Sequence, residues 1–339
     1  MRAAAHLALI AALLCSTASA QAPLPVVQLV APQPFAEWLA ALRAEAEDRG
    51  LPVELLDRTL SGIQPVEQIL QRDRTQAEFT LDLEEYLKRR LTRATVRTAQ
   101  QMYAKHRTVL GAIEKQYGVP ARVLVSVWGL ESNFGRFAGV RPTIPTLVTL
   151  AYDQRRGPMF RNELFSALEI VNRGDIELEN LKGSWAGALG QPQFMPSSYL
   201  QFAQDYDGDG RKDIWSSTPD VFASVANFLQ QHGWTKGARW GREVRIPTAL
   251  NETALAIPRR EAGCRATRLM TDPRTLSEWR AFGILTTAGA ALPKADLTAS
   301  LVLAGTRSFL VYENYDALLG YNCAHTYTLT VALLSDLIK

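Results

Sequence analysis

The sequence predicts an α+β fold that is mainly α, a helical body carrying a small inserted β-containing part. Three observations predict it. From Phe35 to about Tyr117 the chain is rich in Ala, Leu, Glu, Arg and Gln, with apolar residues at helical spacing. From Pro120 to Leu130 it is apolar nearly all round, through Val123, Leu124, Val125, Val127, Trp128 and Leu130, as a buried central helix requires. Around Arg245–Ile246, and again from Leu301 to Tyr312, β-branched and aromatic residues replace that pattern, so strands are expected between about Trp240 and Tyr312.

The elements follow in order. Arg2, the apolar run Ala3 to Leu14 and the small residues Ala18-Ser19-Ala20 read as a cleaved signal peptide over residues 1–20. The run is shorter than the ~20 apolar residues of a bilayer span. Cys15 follows Leu14, where a lipid-attachment signal carries a small residue, so a mature protein from Gln21 without a lipid anchor is expected. No later stretch is long and apolar enough for a membrane span. Gln21 to Pro34 is Pro-rich and without period, an extended leader. Lys88, Arg89, Arg93 and Arg97 share a helical stripe that is either a solvated face or a contact for an anionic polymer. Gly118 stops one helix and Pro120 starts the next. Arg161 to Val171, Pro219 to His232 and Thr326 to Ile338 complete the helical segments.

The balance of 37 basic to 34 acidic residues is too mild to point to nucleic acid, and leans only slightly towards an anionic polymer. Without Cys15, the cysteines left are Cys264 and Cys323, which form one disulfide in an oxidising compartment or are two separate buried thiols.

Glu131 ends the apolar helix, at i+4 from Val127 and i+8 from Val123, and so shares a face with apolar residues. Burial and the negative end of the helix dipole both favour its neutral form. A carboxyl group held protonated near neutral pH can give its proton to a leaving glycosidic oxygen. The plain alternative is a glutamate that marks the helix end and points to water. Gly135, after Phe134, permits a sharp turn that could hold the carboxyl group at a cleft rim. The run Leu181 to Tyr199 mixes glycines, amides, hydroxyls and aromatics, the side chains that line sugar grooves; an ordinary glycine-rich loop is the alternative. Asp205, Asp207, Asp209 and Asp213 stand at positions 1, 3, 5 and 9 of a loop with Gly210 at position 6, the start of an EF-hand. Ser216 occupies position 12 in place of the bidentate Glu, and a solvated Asp/Gly turn is the alternative.

Glu131-Ser132-Asn133-Phe134-Gly135, then Gly187 to Tyr199 (GALGQPQFMPSSY), then Ser224-Val225-Ala226-Asn227-Phe228 with His232-Gly233-Trp234, resemble the membrane-bound lytic transglycosylase B family. The resemblance runs from about Phe79 to the C-terminus. It implies a lysozyme-like helical core with an additional helical lobe, and cleavage of the MurNAc–GlcNAc β-1,4 bond of peptidoglycan glycan strands to leave 1,6-anhydro-MurNAc ends. Export by the cleaved signal peptide makes the periplasm the expected location. Carried over by position, Glu131 matches the acid/base. Ser184, Gln193, Phe194 and Met195 match groove residues, as do Tyr321, Asn322 and Tyr327 in the Tyr-Asn…Tyr segment, and, less closely, Tyr86. Cys323 departs from the small or polar residue expected there; paired with Cys264 it would tether this segment to the β-containing part. The resemblance also implies a longer calcium loop closed by Asp220, with a backbone carbonyl from Arg211, holding a structural calcium ion.

The expected organisation is therefore a signal peptide (1–20), leader and helices (21–78), a catalytic core with the calcium loop (79–239), a β-containing insertion (240–312) and a C-terminal site segment with its helix (313–339). Glycosidases with two carboxylates place them about 5 Å apart when retaining and about 6.5–9.5 Å when inverting. Asp153 is the nearest candidate for a second acid beside Glu131, but Arg155 and Arg156 offer it a structural ion pair. Attack by the MurNAc acetamido oxygen removes the need for a second acid. A hydrolytic muramidase using the same Glu131, and a non-catalytic wall-binding protein, are the competing readings.

Overall fold

The computed structural model describes residues 33–73, 81–153, 155–247 and 256–339. The expected signal peptide, its Cys15 and the leader up to residue 32 lie outside the described residues. No helix among the described residues is long and apolar enough to cross a membrane.

The helical reading of Phe35–Tyr117 resolves into separate helices because the sequence punctuates it. Pro52 precedes the helix Val53–Leu60. Asp82 caps Leu83–Arg90 through its carboxylate to the Glu85 N–H, and Thr92 caps Arg93–Lys105 through its hydroxyl to the Thr95 N–H. Gly118, left-handed at φ 75°, ends Arg107–Tyr117. The apolar helix runs Ala121–Ser132, and Val123, Leu124, Val125, Val127, Trp128 and Leu130 are all buried. Around it pack Arg93–Lys105, Arg107–Tyr117, Thr218–Gln231 and His325–Leu337. A helix packed by four others holds its last turn in one place, which is what a site at that turn needs.

Gly157–Asn172 and Thr218–Gln231 match the expected helices. Thr143–Tyr152, Pro196–Phe202 and Glu313–Tyr321 are additional. Thr143–Tyr152 carries threonines at positions 143, 146 and 149, three apart. In the helix, the Thr146 and Thr149 hydroxyls donate to the carbonyls of Pro142 and Pro145, one turn back, at 2.8 Å.

The β-containing part is an antiparallel sheet, five-stranded among the described residues, in the order Arg274–Thr275, Thr298–Ala304, Arg307–Val311, Gly241–Arg245, Leu285–Thr286. The strand pattern expected over Leu301–Tyr312 is a hairpin, turned at Gly305-Thr306 between the paired residues Ala304 and Arg307. Its apolar residues run without alternation because both faces are covered. Leu301, Leu310 and Tyr312 enter a small core with Trp279, while Val302, Phe309 and Val311 join the large helical core. Glu84 accepts hydrogen bonds from the Thr306 N–H and hydroxyl, at 3.2 and 2.7 Å, pinning the hairpin to the helix Leu83–Arg90.

Cys264 and Cys323 form a disulfide, which settles the pairing that composition left open. It joins the loop region of the sheet to the connector between Glu313–Tyr321 and His325–Leu337, and the Ala266 N–H donates to the Cys323 sulfur at 3.2 Å. Closing 59 residues of chain restricts the unfolded state, a stabilisation of about 2–4 kcal/mol. Replacing both cysteines by Ala is expected to lower the unfolding free energy by about that amount in a urea titration. A double variant as stable as the parent would show that the crosslink contributes nothing.

Candidate active site

Glu131 lies half-buried on the last turn of Ala121–Ser132, and the chain leaves that helix abruptly. Asn133, Phe134 and Gly135 are successively left-handed, at φ 51°, 59° and 79°. For Asn and Gly this is cheap; for Phe it costs roughly 1 kcal/mol or more. Packing holds it. The Phe134 ring lies edge-on to Trp128 at 5.8 Å and so close over Gly129 that a β-carbon there would sit 2.6 Å from it. Below the turn, the Ser132 hydroxyl donates to the Trp128 carbonyl at 2.9 Å and accepts from the Gly135 N–H at 3.0 Å. The Trp128 indole N–H donates to the Gln191 side-chain oxygen at 2.7 Å, and the Gln191 amide donates to the Trp215 carbonyl at 2.7 Å. The helix Ala121–Ser132, the glycine-rich run and the end of the acidic loop are thus one hydrogen-bonded unit.

A cleft of about 550 Å³ opens over Glu131, between the turn Asn133–Arg141 on one side and Gly183, Ser184, Trp185 and Gln193 on the other. Arg141 and Gly183 are paired across a short antiparallel ladder. The Ser184 hydroxyl oxygen accepts from the N–H groups of Ala186 and Ala188, at 3.2 and 3.1 Å, which leaves its own proton for a ligand. Gln193, left-handed at φ 54°, donates through its amide to the Gly190 carbonyl at 2.8 Å and keeps its side-chain oxygen as an acceptor.

Behind the carboxylate stands Tyr327, 3% exposed, whose hydroxyl donates to Glu131 Oε1. Tyr321 donates to the Pro192 carbonyl at 2.7 Å. Burial first, and the Glu131 charge second, push both phenols well above the usual tyrosine range, so they stay neutral donors. Tyr86 is buried and lies near enough to Tyr327 to act on its titration.

The expected residues therefore divide. Glu131, Ser184 and Gln193 line the cleft, with Tyr327 bonded to the first. Phe194, 2% exposed, packs on Phe228 and Tyr321 at 5.6 and 5.9 Å and supports the cleft from beneath. Tyr321, packed on Phe194, is likewise a support, and Tyr86 is buried near Tyr327. Met195 is half-buried at the start of Pro196–Phe202. Asn322 is half-buried at the end of Glu313–Tyr321, and its carbonyl accepts from the Ala324 N–H at 2.8 Å and the Thr328 hydroxyl at 3.2 Å. Asp153 accepts from the Arg155 N–H at 2.9 Å and is not part of the cleft wall. Among the described residues that line the cleft, Glu131 is the one carboxylate. Missed from sequence were Arg90, Phe137, Val140, Arg141 and Trp185. Trp185 stood inside the glycine-rich run; Phe137 and Val140, 64% and 77% exposed, carry no periodicity that could have marked them.

In the acidic loop, ligand oxygens of Asp205, Asp207 and Asp209 lie within 4.8 Å of one another. Asp205 also accepts from the N–H groups of Gly208 and Gly210, at 2.8 and 2.9 Å, and Asp209 from the Arg211 N–H at 2.9 Å. Asp220 is fully buried outside that trio. Its two oxygens accept from the Tyr206 N–H at 2.8 Å and the Asp213 N–H at 2.9 Å, so it closes the loop through backbone. Burial pushes the Asp220 carboxyl up from the ordinary value, against the pull of those donors. The loop then meets the cleft, because the Gln191 N–H donates to the Ile214 carbonyl at 2.9 Å.

The sequence model of the transglycosylase SLT domain family matches residues 34–336. The membrane-bound lytic murein transglycosylase B of Escherichia coli (strain K12) is 37% identical over 153 residues, which cover 45% of this chain and 42% of that protein's length. The fold is similar to SltB3 from Pseudomonas aeruginosa in complex with NAG-anhNAM-pentapeptide, with a TM-score of 0.79 and 38% identity, over 90% of this chain and 79% of that one. It is also similar to the Escherichia coli lytic transglycosylase Slt35 in complex with calcium, with a TM-score of 0.74 and 26% identity, over 90% and 92% of the two chains.

Proposed function

The chain belongs to the transglycosylase SLT domain family, and on that premise we propose that it cuts the MurNAc–GlcNAc β-1,4 bond of peptidoglycan by lytic transglycosylation, with Glu131 as both acid and base. One observation carries the reading: a cleft whose wall, among the described residues, offers one carboxylate, Glu131, bonded to a buried tyrosine hydroxyl and faced by the polar groups of Ser184 and Gln193. In the first step Glu131 protonates the glycosidic oxygen as the C1–O bond breaks, and the 2-acetamido oxygen of the same MurNAc attacks C1. In the second, the sugar's C6 hydroxyl attacks C1, the oxazolinium ring opens, and ionised Glu131 takes the hydroxyl proton. The enzyme returns to its starting protonation state and no water is consumed. Ser184 and Gln193 bind saccharide hydroxyl and acetamide groups, and Tyr327 holds the carboxyl group in line. Slt35 and SltB3 support the reading by what they bind: calcium in one, an anhydro-sugar peptide in the other. The test is the clearing of purified cell walls: turbidity falls with the folded protein, and a preparation that clears nothing overturns the enzyme reading.

The oxygen-only donor set of Asp205, Asp207 and Asp209 fits a hard cation, and the Arg211 carbonyl is the expected further donor. Calcium there would neutralise three exposed acids and stiffen the loop whose far end bonds Gln191; it has no open position at the chemistry. At calcium a hundred times above its Kd, stabilisation of about 2.7 kcal/mol is expected, read as a rise in Tm that chelator reverses. Asp207→Asn is expected to remove most of that rise. A Tm that ignores both calcium and chelator overturns the assignment. The disulfide fits an oxidising compartment, and with the charged, apolar and small-residue pattern over residues 1–20 it supports export to the periplasm.

A further inference from the structure

We propose that Arg141, assisted by Arg90, is a specificity-determining residue that recognises a carboxylate carried by a substituent of the glycan strand. This rests on the glycan-cleaving reading of the same cleft. The wall holds three guanidinium groups, Arg89, Arg90 and Arg141, against the single carboxylate of Glu131. Two of them already have partners: Arg89 pairs with Glu85 at 2.9 Å, and Arg90 donates to the Leu130 carbonyl, at the helix end that carries Glu131. Arg141 is half-buried, and no carboxylate pairs with it among the described residues. A partly desolvated guanidinium without an anion is a poor structural element and a good anion receptor.

Its place in the cleft fits that use. The Arg141 backbone is anchored by its ladder pairing with Gly183, next to Ser184, and Arg141 lines the same cleft as Ser184, a proposed sugar ligand. The pyranose rings of a GlcNAc–MurNAc strand present hydroxyls and acetamides, all neutral, which suit Ser184 and Gln193 but give a guanidinium no charge to meet. The anions on such a strand belong to the lactyl substituent of MurNAc, as a bare carboxylate or as the carboxylates of a peptide stem attached there. Phe137 and Val140, on the same turn and largely exposed, offer an apolar surface beside the cation. A flexible substituent with an aliphatic backbone and carboxylate ends matches that pairing of surfaces, whereas an unsubstituted neutral polysaccharide does not.

The test compares three soluble glycan substrates: strands with intact peptide stems, the same strands with stem carboxylates converted to amides, and strands freed of stems so that the lactyl carboxylate is bare. The parent is expected to cut the first with a kcat/KM about tenfold above the second, a ratio that shrinks as salt is raised. Arg141→Gln is expected to lose about tenfold on the charged stem substrate, mostly in KM, and nothing on the amidated one, while Arg141→Lys recovers part of the loss. Cleavage of the bare-lactyl strand that is as sensitive to Arg141→Gln identifies the lactyl carboxylate as the anion; insensitivity there identifies the stem. An equal loss on all three substrates, or no loss on any charged one, overturns the proposal. Cleavage of none of the three by the parent overturns the glycan-cleaving reading instead, so the two failures are told apart.

Discussion

Glu131→Gln is expected to lower glycan cleavage roughly 10⁴-fold, the upper end for one acid/base group, because in the proposed mechanism the same side chain performs both proton transfers. Gln is nearly isosteric, and its carbonyl oxygen can still accept the Tyr327 hydroxyl that now meets Oε1. The variant should therefore fold with an almost unchanged Tm and bind strands without cutting them. Initial rates of murein solubilisation, with strand binding by sedimentation, check both halves. Near-normal solubilisation by a folded Glu131→Gln protein would remove Glu131 from the chemistry.

Gly139→Ala has the largest expected effect on stability and on cleft shape together. Gly139 is left-handed at φ 93°, and a β-carbon there would stand 2.2 Å from the carbonyl carbon of Gly183 and 2.4 Å from its α-carbon. Those atoms are backbone, so no rotamer change relieves the overlap. The turn must move away from Gly183, which breaks the ladder Arg141↔Gly183 and Pro142↔Lys182 and widens the cleft between Glu131 and Ser184. A cost of about 3 kcal/mol is expected, from the strained φ and the overlap combined. Activity should fall by about a hundredfold, since a displacement near 1 Å costs that much in a positioned site. Chemical denaturation and turnover of one murein preparation measure the two, and a variant with parental values for both would show that the close approach is not required.

Some of this was legible in the residues. The apolar helix and the acid at its end are readable because ten of the twelve residues of Ala121–Ser132 are buried, so the sequence has no polar stripe to confuse the pattern. The strand character of Leu301–Tyr312 is legible, but not its hairpin: with a core on both faces there is no alternation, and only Gly305-Thr306 marks the turn. Thr143–Tyr152 is a helix in which the Thr146 and Thr149 hydroxyls bond one turn back, so burial and back-bonding hold β-branched residues in a helix. The groove residues were recognised as a group, yet their individual roles needed three dimensions. Gln193 and Phe194 are neighbours, and the left-handed backbone at Gln193 turns one into the cleft and lets the other support it from below. Arg141 and Phe137 had no signal at all. They matter only because a sharp turn returns them over Glu131.

The central claim, that Glu131 drives an intramolecular transfer and not hydrolysis, is tested most directly by digesting purified murein in water enriched in heavy oxygen and weighing the new MurNAc ends by mass spectrometry. The account predicts ends one water lighter than a reducing sugar, the 1,6-anhydro form, with no heavy oxygen incorporated. Reducing MurNAc ends labelled with one heavy oxygen at C1 would contradict it and make the protein a muramidase working through the same carboxylate.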